Sequence, residues 1–355
     1  MTAEESSFKK FKGVVRKPLS LTEESLVRSR YLEPEQKLPL VMEPEIAGVN
    51  PAAWAKQARA TIEQQLLKHG AILFRGFNLD TVSAFEQFVR AVSENLLPYG
   101  ERSSPRTEIS AGVFTSTEHP ADQFIHFHNE QSYTRSWPMK LWFFCMTPPG
   151  KGGATPIADG RRVLELLAPE VRQHFIDKRV RYVRNYGYGM GLSWQTAFQT
   201  TRCEDVEAYC RSASIDFDWY GDKLRTSQLY DAIVTHPKTG EPVWFEHTAF
   251  FHISSVELAL RKSLLAEFNE EHLPFNTYYG DGSPIEASVL DSIRAAYEQV
   301  GTRFAWQKGD LLLIDNMLVS HSREAYEGER KILVAMAELY SPYKSSLDHR
   351  LGSDG

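Results

Sequence analysis

Apolar residues recur at helical spacing early in the chain and at strand spacing later, and this change of period organises the sequence. Asn50 and Pro51 supply an N-cap and a first-turn proline, and Trp54, Ala58, Ile62 and Leu66 follow on one face as far as Gly70. That pattern predicts an amphipathic helix ending at a glycine. AILFRGF (71–77) is a short apolar run suited to a buried strand, and Val82, Phe85, Val89, Val92 and Leu96 mark a second helix. From Phe124 onward the texture changes to β-branched and aromatic runs: FIHFHNE, LWFFCMT, VRYVRNYG, PVWFEH, RFAWQ, DLLLID and KILVAMAELY, punctuated by Gly, Pro and Asp. Helical stretches interrupt them near 256–270 and 285–300, without the regular alternation of a doubly wound βαβ fold.

These patterns predict one domain, mainly β with flanking helices, built on a double-stranded β-helix or jelly-roll (cupin-like) core. Residues 1–44 are expected to form a charged, aperiodic N-terminal arm interrupted by Pro34 and Pro39. The domain itself is expected over 45–342, with a lid or insertion at about 185–300 and a C-terminal tail at 343–355.

Composition narrows the function. With 355 residues, 42% hydrophobic and 24% charged, the chain is an ordinary globular one. Its net charge of −6 argues against a broad nucleic-acid or anionic-membrane surface, so a small-molecule partner is expected. Cys145, Cys203 and Cys210 form neither a disulfide framework nor a CxxC knuckle. The polar start is unlike a signal peptide, and no apolar run approaches the ~20 residues of a membrane span. A cytoplasmic protein is the expectation, with no membrane partner.

The chemistry concentrates in two separated segments. His128-Asn129-Glu130 ends the run FIHFHNE, and on a strand residues i and i+2 share a face, so imidazole and carboxylate can converge on one ion. Chance alone supplies roughly one H-x-[DE] triplet in such a composition, so a histidine beside a solvated glutamate is an open alternative. The second segment, KGDLLLIDNMLVSHSREAYEGERKILVAMAELY, carries His321 and Arg330. Two neutral imidazoles and one carboxylate make a three-ligand face that suits Fe(II) and leaves positions open. Arg330, beside an apolar strand, would be costly inside a barrel unless it met an anion; an edge-exposed arginine is the alternative reading.

Taken in order, HNE, GGATPIADGR (152–161), LPFNTYYGDGSPI and GDLLLIDNMLVSHSREAYEGERKILVAM resemble the TauD/TfdA family of Fe(II)/2-oxoglutarate-dependent dioxygenases over roughly residues 45–340. The chain is most similar to the SyrP-like branch of nonribosomal peptide biosynthesis, and shares its metal glutamate with clavaminate synthase-like members. The resemblance implies His128, Glu130 and His321 as iron ligands, with Thr155 and Arg330 binding 2-oxoglutarate. It departs at Val334, where many members carry a second arginine that binds an acidic group of the primary substrate. The implied reaction couples decarboxylation of 2-oxoglutarate, with dioxygen, to hydroxylation of an aliphatic C–H in an amino acid or related metabolite, free or carrier-protein-tethered, in specialised metabolism such as antibiotic biosynthesis. Halogenation is disfavoured, because related halogenases leave the position of Glu130 small. The alternatives are a desaturase or cyclase, a metal hydrolase using the same triad, and a non-catalytic 2-oxoglutarate- or metabolite-binding jelly-roll.

Other features are assigned locally. His126 is expected to pack at the barrel wall, and His247 and His252 form a second metal pair only if His321 is not a ligand. Glu246 and His247 face the substrate or serve as structural hydrogen-bonding groups. Trp142 and Phe250 are core aromatics or pocket members. GKGGATP and GYGMG lack the spacing of nucleotide-binding loops and read as turns, and there is no HExxH or GxSxG motif.

Overall fold

The strand Trp137–Thr147 shows how this chain builds its core. Trp142 and Phe144 point to one side of the sheet, where they meet Trp54, Phe85 and Phe88 of the helices, whereas Leu141, Phe143 and Cys145 point to the other. Successive side chains on a strand alternate between faces, and a strand covered on both faces therefore reads as a continuous apolar run. Phe85 and Phe144 stack at 5.0 Å between centroids and 8° between planes, a geometry worth about 0.5–1.5 kcal/mol beyond burial.

The computed structural model describes residues 26–342 other than 102, 105 and 118. Its main sheet has eight strands in the order Val27–Glu33, Gln36–Pro44, Ala71–Phe74, Leu311–Asp315, Trp137–Thr147, Lys331–Tyr340, Val113–Thr115 and Glu108–Ser110. A facing sheet orders Ile125–His128, Val319–Arg323 and Ile157–Asp159. Inner-face residues such as Leu73, Leu141, Phe143, Leu312, Ile314, Val319, Ile332 and Val334 fill the space between them. This is the expected mainly β jelly-roll core with flanking helices.

The helix expected from Asn50 is present in two pieces, Pro51–Gln57 and Arg59–His69, joined at Ala58. Asn50 accepts from the Ala53 amide, and Gly70 ends the second piece in a left-handed conformation at φ 78°. Val82–Val92 follows as expected.

Four differences from the sequence reading have physical causes. Residues 27–44 of the expected arm pack on the body as an antiparallel hairpin, whose second strand pairs in parallel with Ala71–Phe74. Leu40 and Met42 are buried against the helices and Val41 in the inner core, a short apolar run that Pro39 interrupts and Lys37 and Glu43 flank in the sequence. RFAWQ forms no strand: Phe304 and Trp306 are buried, but the segment's backbone lacks a ladder partner. Short helices at Gly160–Leu166, Pro169–Lys178 and Cys203–Ala213 went unpredicted because each buries only a few apolar residues. Within 185–300, part of a separate four-stranded sheet, Asp216–Tyr220, Lys223–Tyr230, Val180–Tyr186 and Phe275–Tyr279, packs with helices beside the core. The expected tail at 343–355 and the first part of the expected arm, 1–25, lie outside the described residues.

Among the described residues, no helix is long and apolar enough to cross a membrane.

Candidate active site

Strand pairing assembles the site. Val319–Arg323 lies between Ile125–His128 and Ile157–Asp159, with His321 opposite His128 on one side and Ile157 on the other. His128, Glu130 and His321 are all buried and offer ligand atoms within 4.8 Å of one another. Among the described residues they form the only such group of three or more His, Cys, Asp or Glu side chains.

Each member is oriented. The Nδ1 atom of His128 lies 2.7 Å from the His126 carbonyl oxygen. A carbonyl only accepts, so Nδ1 carries the proton and Nε2 keeps its lone pair for a metal. Asn316, directly after the strand Leu311–Asp315, ties the Glu130 turn to the second segment. Its Oδ1 accepts from the Glu130 amide at 2.8 Å, and its Nδ2 donates to the carbonyls of Glu130 and Pro138, both at 2.9 Å. Asn129 returns a bond to the Asn316 carbonyl at 2.7 Å. Burial holds His128 below the usual imidazole range, and burial together with the His128 charge holds His321 well below it. Neutral imidazoles are the form a metal requires. The Nδ1 atom of His321 is buried without a hydrogen-bond partner among the described residues. This unpaired ring nitrogen, the lone pair of His128 Nε2 and the carboxylate together fit a ferrous ion.

Thr155 and Arg330 sit in a second chamber, lined also by His321, that shares Arg106, Thr117, Ile125 and His128 with the first. Gly152 and Gly153, at φ 66° and 68°, allow the GGATP turn to close against Ala325 and Pro149, where a Cβ would collide. Arg330 Nε donates to the Gly153 carbonyl at 2.9 Å, and Nη2 donates to Thr155 Oγ1 at 3.2 Å. Trp306 Nε1 also donates to Thr155 Oγ1, at 3.1 Å. Both lone pairs of that hydroxyl are thereby occupied, and its proton is directed outward to an acceptor. Burial, with Arg323 nearby, lowers the Arg330 pKa to about 10, the mark of a cation poorly compensated by the protein. Val334 lines this chamber as an apolar wall.

The first chamber, about 300 Å³, is lined by Arg106, His128, Glu130, His247, Phe250, Phe251 and Phe275 among others. Arg106 went unnoticed in the sequence, where nothing distinguishes it from the other arginines; its Nη2 donates to Glu130 Oε2 at 2.7 Å. Glu246 and His247 divide between the two roles foreseen for them. Glu246 is fully buried and accepts from Trp244 Nε1 at 3.1 Å, Tyr297 OH at 3.0 Å and the amides of Thr248 and Ala249, a structural hub. His247 lines the chamber. His126 packs at the wall beside the Ser255 carbonyl at 3.2 Å, and His252 turns to Ser254 Oγ at 2.8 Å, outside the metal set. Phe250 lines the chamber, whereas Trp142 belongs to the helix-facing core.

Comparison with known proteins agrees with this architecture. The family model described as taurine catabolism dioxygenase TauD, TfdA family, matches residues 31–336. The dapdiamide synthesis protein DdaC of Enterobacter agglomerans is 42% identical over 289 residues, covering 81% of this chain and 88% of that protein. A clavaminate synthase-like protein of Arabidopsis thaliana is 29% identical over 341 residues, covering 90% and 99%. The solved structure of PvcB from Pseudomonas aeruginosa shares the fold, with a TM-score of 0.53 at 16% identity over 91% of this chain and 94% of that one. The chain belongs to the TauD/TfdA family of Fe(II)- and 2-oxoglutarate-dependent dioxygenases.

Proposed function

We propose that His128, Glu130 and His321 hold the ferrous ion, that Thr155 and Arg330 hold the distal carboxylate of 2-oxoglutarate, and that the enzyme hydroxylates an aliphatic C–H of an amino acid or related small metabolite in specialised metabolism. The observation that carries this reading is the buried convergence of the three donor side chains within 4.8 Å, beside a chamber ending in Arg330 and Thr155. When bound, iron with 2-oxoglutarate and dioxygen supplies the oxidising power for an unactivated C–H bond.

The protein's own part is binding and orientation. The His126 carbonyl sets the His128 tautomer, and Asn316 fixes the backbone at Glu130. The Thr155 hydroxyl donates its free proton to the 2-oxoglutarate carboxylate while the Arg330 guanidinium neutralises it, a charge-assisted contact that a buried arginine makes at low cost. Phe250, Phe251 and Phe275 exclude water from the volume where the substrate C–H must lie.

The relationship to a dapdiamide synthesis protein supports a biosynthetic role. The substrate is a small molecule, presented free or as a thioester on a carrier protein. Anaerobic addition of Fe(II) and 2-oxoglutarate is expected to give a weak visible charge-transfer band that His128→Ala abolishes. Folded protein without the band refutes the assignment. Succinate release, compared for free and carrier-loaded amino acids, separates the two forms of presentation.

A further inference from the structure

Two buried polar groups in the first chamber have hydrogen-bonding capacity that the metal and 2-oxoglutarate assignments leave unused. Arg106 is 9% exposed; one nitrogen meets Glu130, its guanidinium lies 4.5 Å from the Tyr99 ring centroid, and Nε and Nη1 are buried without a partner among the described residues. His247 is 2% exposed and its Nδ1 lies 3.1 Å from the Asn129 carbonyl oxygen. A carbonyl accepts only, so Nδ1 carries the proton and Nε2, also buried and unpartnered, is a free acceptor. Buried donors and acceptors left unmade are costly, and their usual explanation is a group that fills them.

Charge points the same way. Arg106 is a buried positive charge whose carboxylate partner, Glu130, is also a proposed ligand of the ferrous ion. A substrate carboxylate would give this guanidinium a second anionic partner. Arg106 lines both chambers, but the one of about 300 Å³ also holds His247 and the apolar walls, against about 40 Å³ for the other, so a substrate is held there.

We propose that Arg106 and His247 anchor the primary substrate: Arg106 donates to a free carboxylate from one of its unpartnered nitrogens, Nη1 or Nε, His247 Nε2 accepts from a neighbouring N–H or O–H, and an apolar chain lies against Phe250, Phe251 and Phe275. An aliphatic α-amino acid has this combination of groups. The inference rests on the dioxygenase reading above and narrows it: a thioester has lost the carboxylate that Arg106 binds, so the substrate enters as a free acid or carries a second carboxylate.

The test is calorimetric titration of the full chain loaded with Zn(II) and 2-oxoglutarate, which does not turn over. The probes are α-amino acids from alanine to norleucine together with phenylalanine, each paired with its primary amide. For at least one pair the acid binds about 10-fold or more tighter than the amide, as a buried charge-assisted bond requires. Arg106→Gln brings that ratio close to one, whereas Arg106→Lys preserves a preference for the acid. His247→Phe narrows the preference for the amino acid over its deaminated analogue. Equal binding of acid and amide by the wild type, binding of none of the acids, or an unchanged ratio in Arg106→Gln overturns the proposal. The wild-type ratio and the lysine variant decide the matter if the glutamine variant does not fold. Metal-free protein is titrated in parallel: acid preference there without any uptake of Zn(II) or 2-oxoglutarate overturns the dioxygenase assignment and leaves the anchor standing.

Discussion

His128 and His321 are register partners in an antiparallel pair, and their ring centroids lie 4.3 Å apart. Their proximity is therefore a property of the sheet and does not depend on a flexible loop. Replacing either by Ala removes a proposed metal ligand while leaving the ladder's backbone bonds intact. Iron retention, measured by metal analysis after gel filtration, is expected to fall by more than the roughly 10- to 100-fold typical of losing a supporting residue. Secondary structure by circular dichroism is expected to stay at wild-type level. Full iron occupancy in both variants would exclude these histidines as ligands.

Asn316 touches no proposed ligand atom, yet it bonds the backbone at Glu130 and Pro138 and accepts from Asn129. Asn316→Ala is expected to weaken iron binding about 10- to 100-fold and to destabilise the fold by about 1–3 kcal/mol, because buried backbone groups lose their partners. The measurements are metal titration and urea unfolding. An unaltered iron affinity would show that the turn at Glu130 holds itself.

Arg330→Gln is expected to raise the KM for 2-oxoglutarate far more than it lowers kcat at saturation. The pH dependence carries the same information. The Arg330 pKa is lowered to about 10, chiefly by burial, so in the free enzyme the cation is lost as pH rises through that value. Affinity for 2-oxoglutarate should therefore weaken above about pH 10, and a bound carboxylate should shift the transition upward. Binding measured by tryptophan fluorescence between pH 8 and about 11 checks the sign. A flat profile would place the carboxylate elsewhere.

Acid stability follows from buried imidazoles away from the chemistry. His252 is lowered from 6.5 to about 4, first by burial and then by Arg294 and Arg261. Its folded-state pKa lies below its unfolded value, so the unfolded chain binds more protons as pH falls. The stabilisation is complete above pH 6.5 and is lost as pH falls toward 4. In metal-free protein, His252→Asn should flatten the decline of Tm across this window relative to wild type. An identical slope would show that His252 does not contribute to it.

Local order along the chain was readable before any contact was known. The N-cap at Asn50, the stop at Gly70 and the doubly buried run 141–145 follow from spacing and side-chain type alone, because helix and strand periods are short-range properties, whereas Glu130 lies in a turn just past the strand Ile125–His128 and reaches the site without the strand face expected for it. The motif resemblance added Thr155 and Arg330, which the fold brings to 3.2 Å of each other. Other roles depend on which distant segments meet. Trp306 shares the Thr155 hydroxyl with Arg330, Asn316 reaches back to the Glu130 backbone, and Arg106 meets the Glu130 carboxylate from a loop that shows no periodicity. Adjacent residues of like polarity, Glu246 and His247, separate into a structural hub and a chamber wall because one strand end turns at that point. The 27–44 hairpin likewise acquires its place by pairing with Ala71–Phe74. Register between remote strands decides these positions, and a sequence carries no local pattern from which that register can be read.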